Sequence, residues 1–227
     1  MQCLKHDGQL TKIIGEDIMR LQQVAIVIGT LWLGLCTHAP RAQEVAVVLG
    51  NTIELSQISP DQKELKNMTH NASVSKEVAL VGFRQHQLTQ IIVDTVLKDY
   101  ADKQGITTDL QLARQFTERF RTSVASSSET TDLHKVARQQ VGSWQVDKAL
   151  YQQHGGAVVF TPRKPLFPVE AYNTVLRRYQ NDGLLTIHNP DLRAGFWQTF
   201  EPPYEFEIPA AQVSFAQPWW LTTDIMP

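Results

Sequence analysis

The stretch that most constrains what this chain can fold into runs from Arg84 to Gln104. Leu88, Ile91, Ile92, Val96 and Tyr100 follow one another at helical spacing, so they line one face. Gln87, Gln90, Asp94 and Lys98 fall on the opposite side. Gly105 stands where a left-handed cap is needed, and Ile106 is placed to fold back on the last turn. The pattern predicts one long helix with a single buried stripe, around which the other elements must pack.

Before that helix the chain divides into a leader and a short hairpin. Met19-Arg20 opens a second possible start, followed by an uncharged apolar run from Val24 to Cys36 and then Ala39, Pro40, Arg41 and Ala42. A basic residue, a short apolar run and a small residue form the pattern of a secretory signal peptide. The run is shorter than the roughly 20 apolar residues that a membrane span requires. The expected division is therefore a leader over residues 1–42, with 1–18 an over-extended start and 19–42 a signal peptide cleaved after Ala42. The alternative is an uncleaved anchor. Both cysteines, Cys3 and Cys36, lie in the leader, so the cleaved chain would hold together without disulfides. Beyond it, Glu44 to Leu49 and Thr52 to Leu55 read as the two arms of a hairpin turning at Gly50-Asn51. Asp61 to Ser75, polar and preceded by Pro60, reads as an irregular connection.

After the long helix, Thr108 and Gln111 have capping-box spacing, and Leu112, Phe116 and Phe120 line the helix that follows. The short Gly-containing turn between them predicts that these two helices form an antiparallel pair. Ser123 to Asp132 is a polar loop, and Leu133, Val136, Ala137, Val141, Trp144, Val146, Leu150 and Tyr151 carry a further helix to Gly155-Gly156. The last third changes character. Ala157 to Phe160 reads as a strand and Ala171 to Tyr179 as a helix that starts near Pro168 and stops at Gly183. Leu184 to His188 reads as a strand, and Asn189-Pro190 starts another helix by cap and first-turn logic. Tyr204 to Ile208 and Val213 to Phe215 read as closing strands. The expected fold class is α+β, mainly helical: a helical module over 43–154 with an N-terminal hairpin, then a small aromatic-rich α+β portion over 155–227.

Chemistry is sparse. The 21 Lys and Arg nearly balance the 23 Asp and Glu, and no basic stripe offers a footprint for nucleic acid. The seven histidines lack metal-ligand spacing, so neither a metal nor a cofactor is expected. His86 and His134 are expected in solvent, His188 at a strand end, and Asp132 and Asp147 read as helix caps. No catalytic residue is assigned. The aromatic side chains are the informative set, because each buries roughly 150–250 Å² and they build either a core or an apolar groove for extended peptide. Phe116, Phe120, Trp144, Tyr151, Trp219 and Trp220 are the candidate peptide-binding residues.

Residues 45–56 (VAVVLGNTIELS) and the helix end at 99–106 (DYADKQGI) resemble the N-terminal domain of the SurA-type periplasmic chaperones. The resemblance covers Glu44 to Val124 and extends toward Tyr151. It implies a periplasmic protein of the Gram-negative envelope that holds unfolded or extended polypeptide, outer-membrane proteins among its clients. With the leader left in place, the same chain would be anchored to the inner membrane. Many members carry a parvulin-type prolyl isomerase domain next, and Ala157 to Ile187 occupies that position. Parvulins place a histidine on the first strand; Ala157 to Phe160 has none. The expectation is a non-catalytic chaperone-like protein. The alternatives are a divergent prolyl isomerase, or an accessory subunit of an envelope complex that docks through Trp219-Trp220.

Overall fold

The computed structural model describes residues 43–71, 75–125 and 132–222. The leader expected over 1–42 and most of the loop expected at 123–132 lie outside the described residues. The first strands are β1 (Glu44–Val48) and β2 (Asn51–Glu54), and they pair antiparallel with Val48 opposite Asn51. Their turn is Leu49-Gly50, one residue earlier than expected, with φ of 49° and 77°. A two-residue hairpin with right-handed strand twist needs positive φ at both central positions. Leu49 takes that conformation because its side chain packs on the core and its N–H donates to the Leu184 carbonyl at 2.8 Å. A bulge between Glu44 and Ala46 leaves Val45 unpaired with β2, so the consecutive residues Val45 and Ala46 are both buried.

The segment expected to be irregular contains helix α1 (Gln62–Asn71). Asp61 and Glu64 cap it reciprocally: Glu64 N–H donates to Asp61 Oδ1 at 2.7 Å, and Asp61 N–H donates to Glu64 Oε2 at 2.9 Å. The long helix α2 (Lys76–Gln104) begins eight residues before Arg84, with Ser75 Oγ accepting from Val78 N–H. Leu88, Ile92, Val96 and Tyr100 form its buried stripe. Gly105 ends it at φ 66°, and Ile106 N–H returns to the Ala101 carbonyl.

Next come α3 (Leu110–Ala125) and α4 (Leu133–His154). Asp109 caps α3, not Thr108: its Oδ1 accepts from Gln111 and Leu112 N–H at 2.7 and 3.1 Å. Asp132 caps α4 as expected. The antiparallel partner of α3 is α4 rather than α2, because the apolar face of α3 meets Ala137, Val141 and Trp144. Helix α5 (Val169–Asn181), strand β3 (Leu185–Ile187) and helix α6 (Pro190–Gln198) follow, with Asn189 Oδ1 accepting from Leu192 N–H at 3.0 Å.

Strand β3 adds to β1 on the side away from β2, giving an antiparallel sheet in the order β2-β1-β3. A strand from residues 155–227 thus completes the hairpin at the front of the chain. The fold is α+β and mainly helical. The main core gathers Val48 and Ile187 of the sheet, Leu88 and Ile92 of α2, Leu176 of α5 and Phe196 of α6. Two expected strands are absent as such: Val159 makes only single bridges, to Phe167 and to Glu207. The third, Val213 to Phe215, lies in a segment that carries short 3-10 turns at Ala210–Gln212 and Trp219–Leu221. Prolines at 202, 203, 209 and 218 remove the N–H groups that a continuing ladder would use.

Candidate functional site

A second apolar cluster lies apart from the main core, between α3 and α4. Helix α3 contributes Leu112, Ala113, Phe116 and Phe120, a stripe at three- and four-residue steps. Helix α4 answers with Val136, Ala137, Val141, Trp144 and, two turns further, Tyr151. The pair forms a trough, and the chain's own last described segment lies in it. Trp220 sits at the bottom, 5.3 Å from the Phe116 ring and 6.0 Å from Trp144, edge-on to both. Trp219 covers the rim, 6.0 Å from Phe120 and 6.4 Å from Phe116. Phe215 closes the far end against Tyr151 at 5.1 Å.

All six candidate residues therefore meet in one cluster, but in two different roles. Phe116, Phe120, Trp144 and Tyr151 belong to the trough; Trp219 and Trp220 belong to the segment that fills it. The expected open groove is thus covered, with Phe116, Trp144 and Trp220 all less than a tenth exposed. Alanine and valine at 113, 137 and 141 also contribute, and sequence reasoning passed over them as site residues because small side chains in a helical stripe look like any core. Phe215 escapes for a different reason: residues 213–215 read as a strand in the sequence.

The mode of attachment is specific to this segment. The last backbone bond tying it to the rest of the fold is Ile208 N–H to the Val158 carbonyl at 2.8 Å. Among the described residues, every hydrogen bond made by 210–222 stays within residues 209–222, such as Leu221 N–H to Pro218 O and Thr222 Oγ1 to Trp219 O. No charged side chain occurs between Glu207 and Asp224. The indole N–H groups of Trp144 and Trp220 are buried, with no acceptor among the described residues. Beside the segment lies an open cleft of about 870 Å³ that is bounded by Leu112, Trp144 and Gln145 on one side and by Gln217, Pro218 and Leu221 on the other.

A second open cleft runs along α2. It measures about 810 Å³ and has a mixed lining, with Val93, Leu97 and Val146 beside Gln90, Asp94 and Lys164. Burial raises the Asp94 carboxyl above its ordinary value, with the Lys164 ammonium opposing the shift.

Asp147 is not the cap that the sequence predicted. It lies in the middle of α4, buried between Val146 of the main core and Trp144 of the second cluster. Tyr172 Oη donates to Asp147 Oδ1 at 2.5 Å, and Lys164 Nζ reaches Tyr172 Oη at 2.7 Å and Asp147 Oδ1 at 3.4 Å. Burial pushes the Asp147 carboxyl up, against the pull of Lys164 and of the Tyr172 hydroxyl. Burial and the neighbouring Asp147 hold the Tyr172 phenol well above its usual range. A phenol held that firmly in its protonated form is a hydrogen-bond donor, not a base. The network fastens α4 to α5 and to the 161–164 turn, and a small gap beside it is bounded by Trp219.

Among the described residues the histidines assemble no site. His86 and His134 are exposed, and His188, also exposed, pairs Nε2 with Glu44 Oε1 at 2.9 Å across the sheet edge. Among the described residues no three His, Cys, Asp or Glu side chains converge as metal ligands, and no helix is long and apolar enough to cross a membrane. No protein-family model, curated protein or solved structure matches the chain. The trough between α3 and α4 is accordingly read from its own geometry. What it can do chemically is bury aromatic side chains of an irregular segment that brings no charge with it.

Proposed function

We propose that this is a non-catalytic, chaperone-like protein of the periplasm that holds unfolded or extended polypeptide in the α3–α4 trough. One observation carries the reading: an uncharged, largely irregular segment is seated there by Phe215, Trp219 and Trp220. A surface able to take that segment has the shape and chemistry to take a similar one from another chain, sheltering apolar residues that otherwise aggregate before folding. The resemblance of residues 44–124 to SurA-type chaperones agrees in kind. Clients of this description include outer-membrane proteins, whose strands carry aromatic side chains without charge on the lipid-facing side.

The test is light scattering from an outer-membrane protein diluted out of denaturant. A stoichiometric amount of the protein is expected to slow the rise in scattering. Unchanged aggregation at a severalfold excess would overturn the proposal.

A further inference from the structure

We propose that residues 209–222 act as a built-in competitor for the trough, so that a client must displace this segment before it binds. The inference rests on the peptide-holding reading and adds to it a regulatory step and a client class: uncharged, irregular segments with adjacent aromatic residues. Three features of the segment point the same way. Its hold on α3 and α4 comes from side chains alone, since its hydrogen bonds are internal and the last backbone tie to the fold is at Ile208. A segment attached in this manner can leave without breaking a ladder, which places it at the low-stability end of the fold. Second, the Trp144 and Trp220 indole N–H groups are buried without acceptors among the described residues, as is that of Trp197 in the main core, although a buried donor normally finds one. An incoming chain whose carbonyl reaches Trp144 would relieve the first of these, and release of the segment would return the second to water.

The third feature is the tether. Being part of the same chain, the segment faces the trough at an effective concentration in the mM range. It therefore outcompetes weak or charged peptides and yields only to segments that match its chemistry. A bound client is gained at the expense of the closed form, so the apparent affinity is reduced by the small fraction of open molecules. The segment also keeps Phe116 and Trp144 out of water in the absence of a client, which prevents the trough from becoming a self-association surface.

The test uses the full chain and a fluorescent synthetic peptide with the sequence of residues 209–222. The double variant Trp219→Ser, Trp220→Ser removes the internal anchors and leaves the trough residues of α3 and α4 untouched. By fluorescence anisotropy the variant is expected to bind the peptide about tenfold or more tightly than the unaltered protein, as removal of a closed state requires. A peptide carrying serine at both tryptophan positions should bind neither form. Equal affinity of the two proteins, or no binding to a variant whose helical circular dichroism is intact, overturns the proposal. If the variant loses its helical signal, hydrogen exchange on the unaltered protein decides. Saturating unlabelled peptide should speed exchange of amides 210–222 and not those of α5, and unchanged protection overturns the idea. The aggregation assay keeps the two proposals apart. Tightened peptide binding with no suppression by either form sinks the chaperone reading alone, whereas full suppression with equal peptide affinity sinks only the competitor.

Discussion

The two apolar clusters of this protein are built on different principles. In the main core the pieces are joined by directional bonds between distant parts of the chain as well as by packing. β1 is laddered on both sides, and His188 N–H donates to the Val45 carbonyl at 2.9 Å. Tyr179 Oη donates to Asp99 Oδ2 at 2.5 Å, the Tyr100 hydroxyl reaches Gln153 at 2.7 Å, and Asn173 Nδ2 donates to the Phe200 carbonyl at 2.7 Å. Each such bond admits one register and one partner. In the second cluster the last described segment meets α3 and α4 ring against ring, at 5.1–6.4 Å. Aromatic contacts tolerate many arrangements, so this cluster can exchange one occupant for another where the main core cannot. The lesson is that burial alone does not tell a structural core from a filled binding surface; the distribution of hydrogen bonds does.

That contrast can be broken by mutation. Phe196, fully buried on α6, should cost about 4 kcal/mol when replaced by alanine, measured as a lower urea midpoint for the whole fold. The matching change in the second cluster, Trp220→Ala, should cost about 2 kcal/mol or less globally and act mainly by loosening residues 209–222. Equal global losses from the two would erase the distinction.

A second change probes the joint between the clusters. Lys164→Met removes one partner of buried Asp147 and leaves it the Tyr172 hydroxyl. Because the Lys164 side chain is a third exposed, the expected loss is about 2 kcal/mol, below the usual range for a broken buried pair. The Asp147 carboxyl should titrate higher still, since Lys164 is the strongest influence pulling it down; carboxyl carbon chemical shifts would record it. A raised carboxyl pKa favours the protonated native form, so in this variant stability should fall as pH rises from the unfolded value through the native one.

A further effect belongs to the main core at high pH. Tyr179 is pushed up to about 12 by burial and by its bond to Asp99, from an ordinary value of 10.0. The unfolded chain therefore releases this proton first, and stability should decline as pH climbs from about 10 to about 12. Tyr179→Phe should flatten that part of the stability curve, and phenolate absorbance should place the native transition above that of exposed tyrosine.

Much of the fold is legible where the information is local. The stripe Leu88, Ile92, Val96 and Tyr100, the stop at Gly105 and the start at Asn189-Pro190 each depend on residues within a turn or two of one another. Helix α1 carried an equally local signal, the Asp61–Glu64 pair, that was outweighed by the polarity of its neighbours. Other features had no local signal. Thr108 and Asp109 are both able to cap a helix, and the choice is made by the approach of Gln145, whose Oε1 accepts from Asp109 N–H at 2.9 Å. Nothing near Asp147 in the chain foretells Tyr172 and Lys164. The strand expected at 204–208 is reduced to a bridge because Val159 is shared between Glu207 and Phe167.

The candidate site divides the same way. Helical spacing and charge are properties of short windows, so the residues alone put Phe116, Phe120, Trp144 and Tyr151 on helices and leave the stretch from Ile208 to Thr223 without charge. That α3 packs against α4, and that Trp219 and Trp220 fill the trough rather than line it, emerges only from how the folded chain packs. That outcome depends on which apolar faces find one another across a hundred residues, a competition that packing settles and periodicity leaves open.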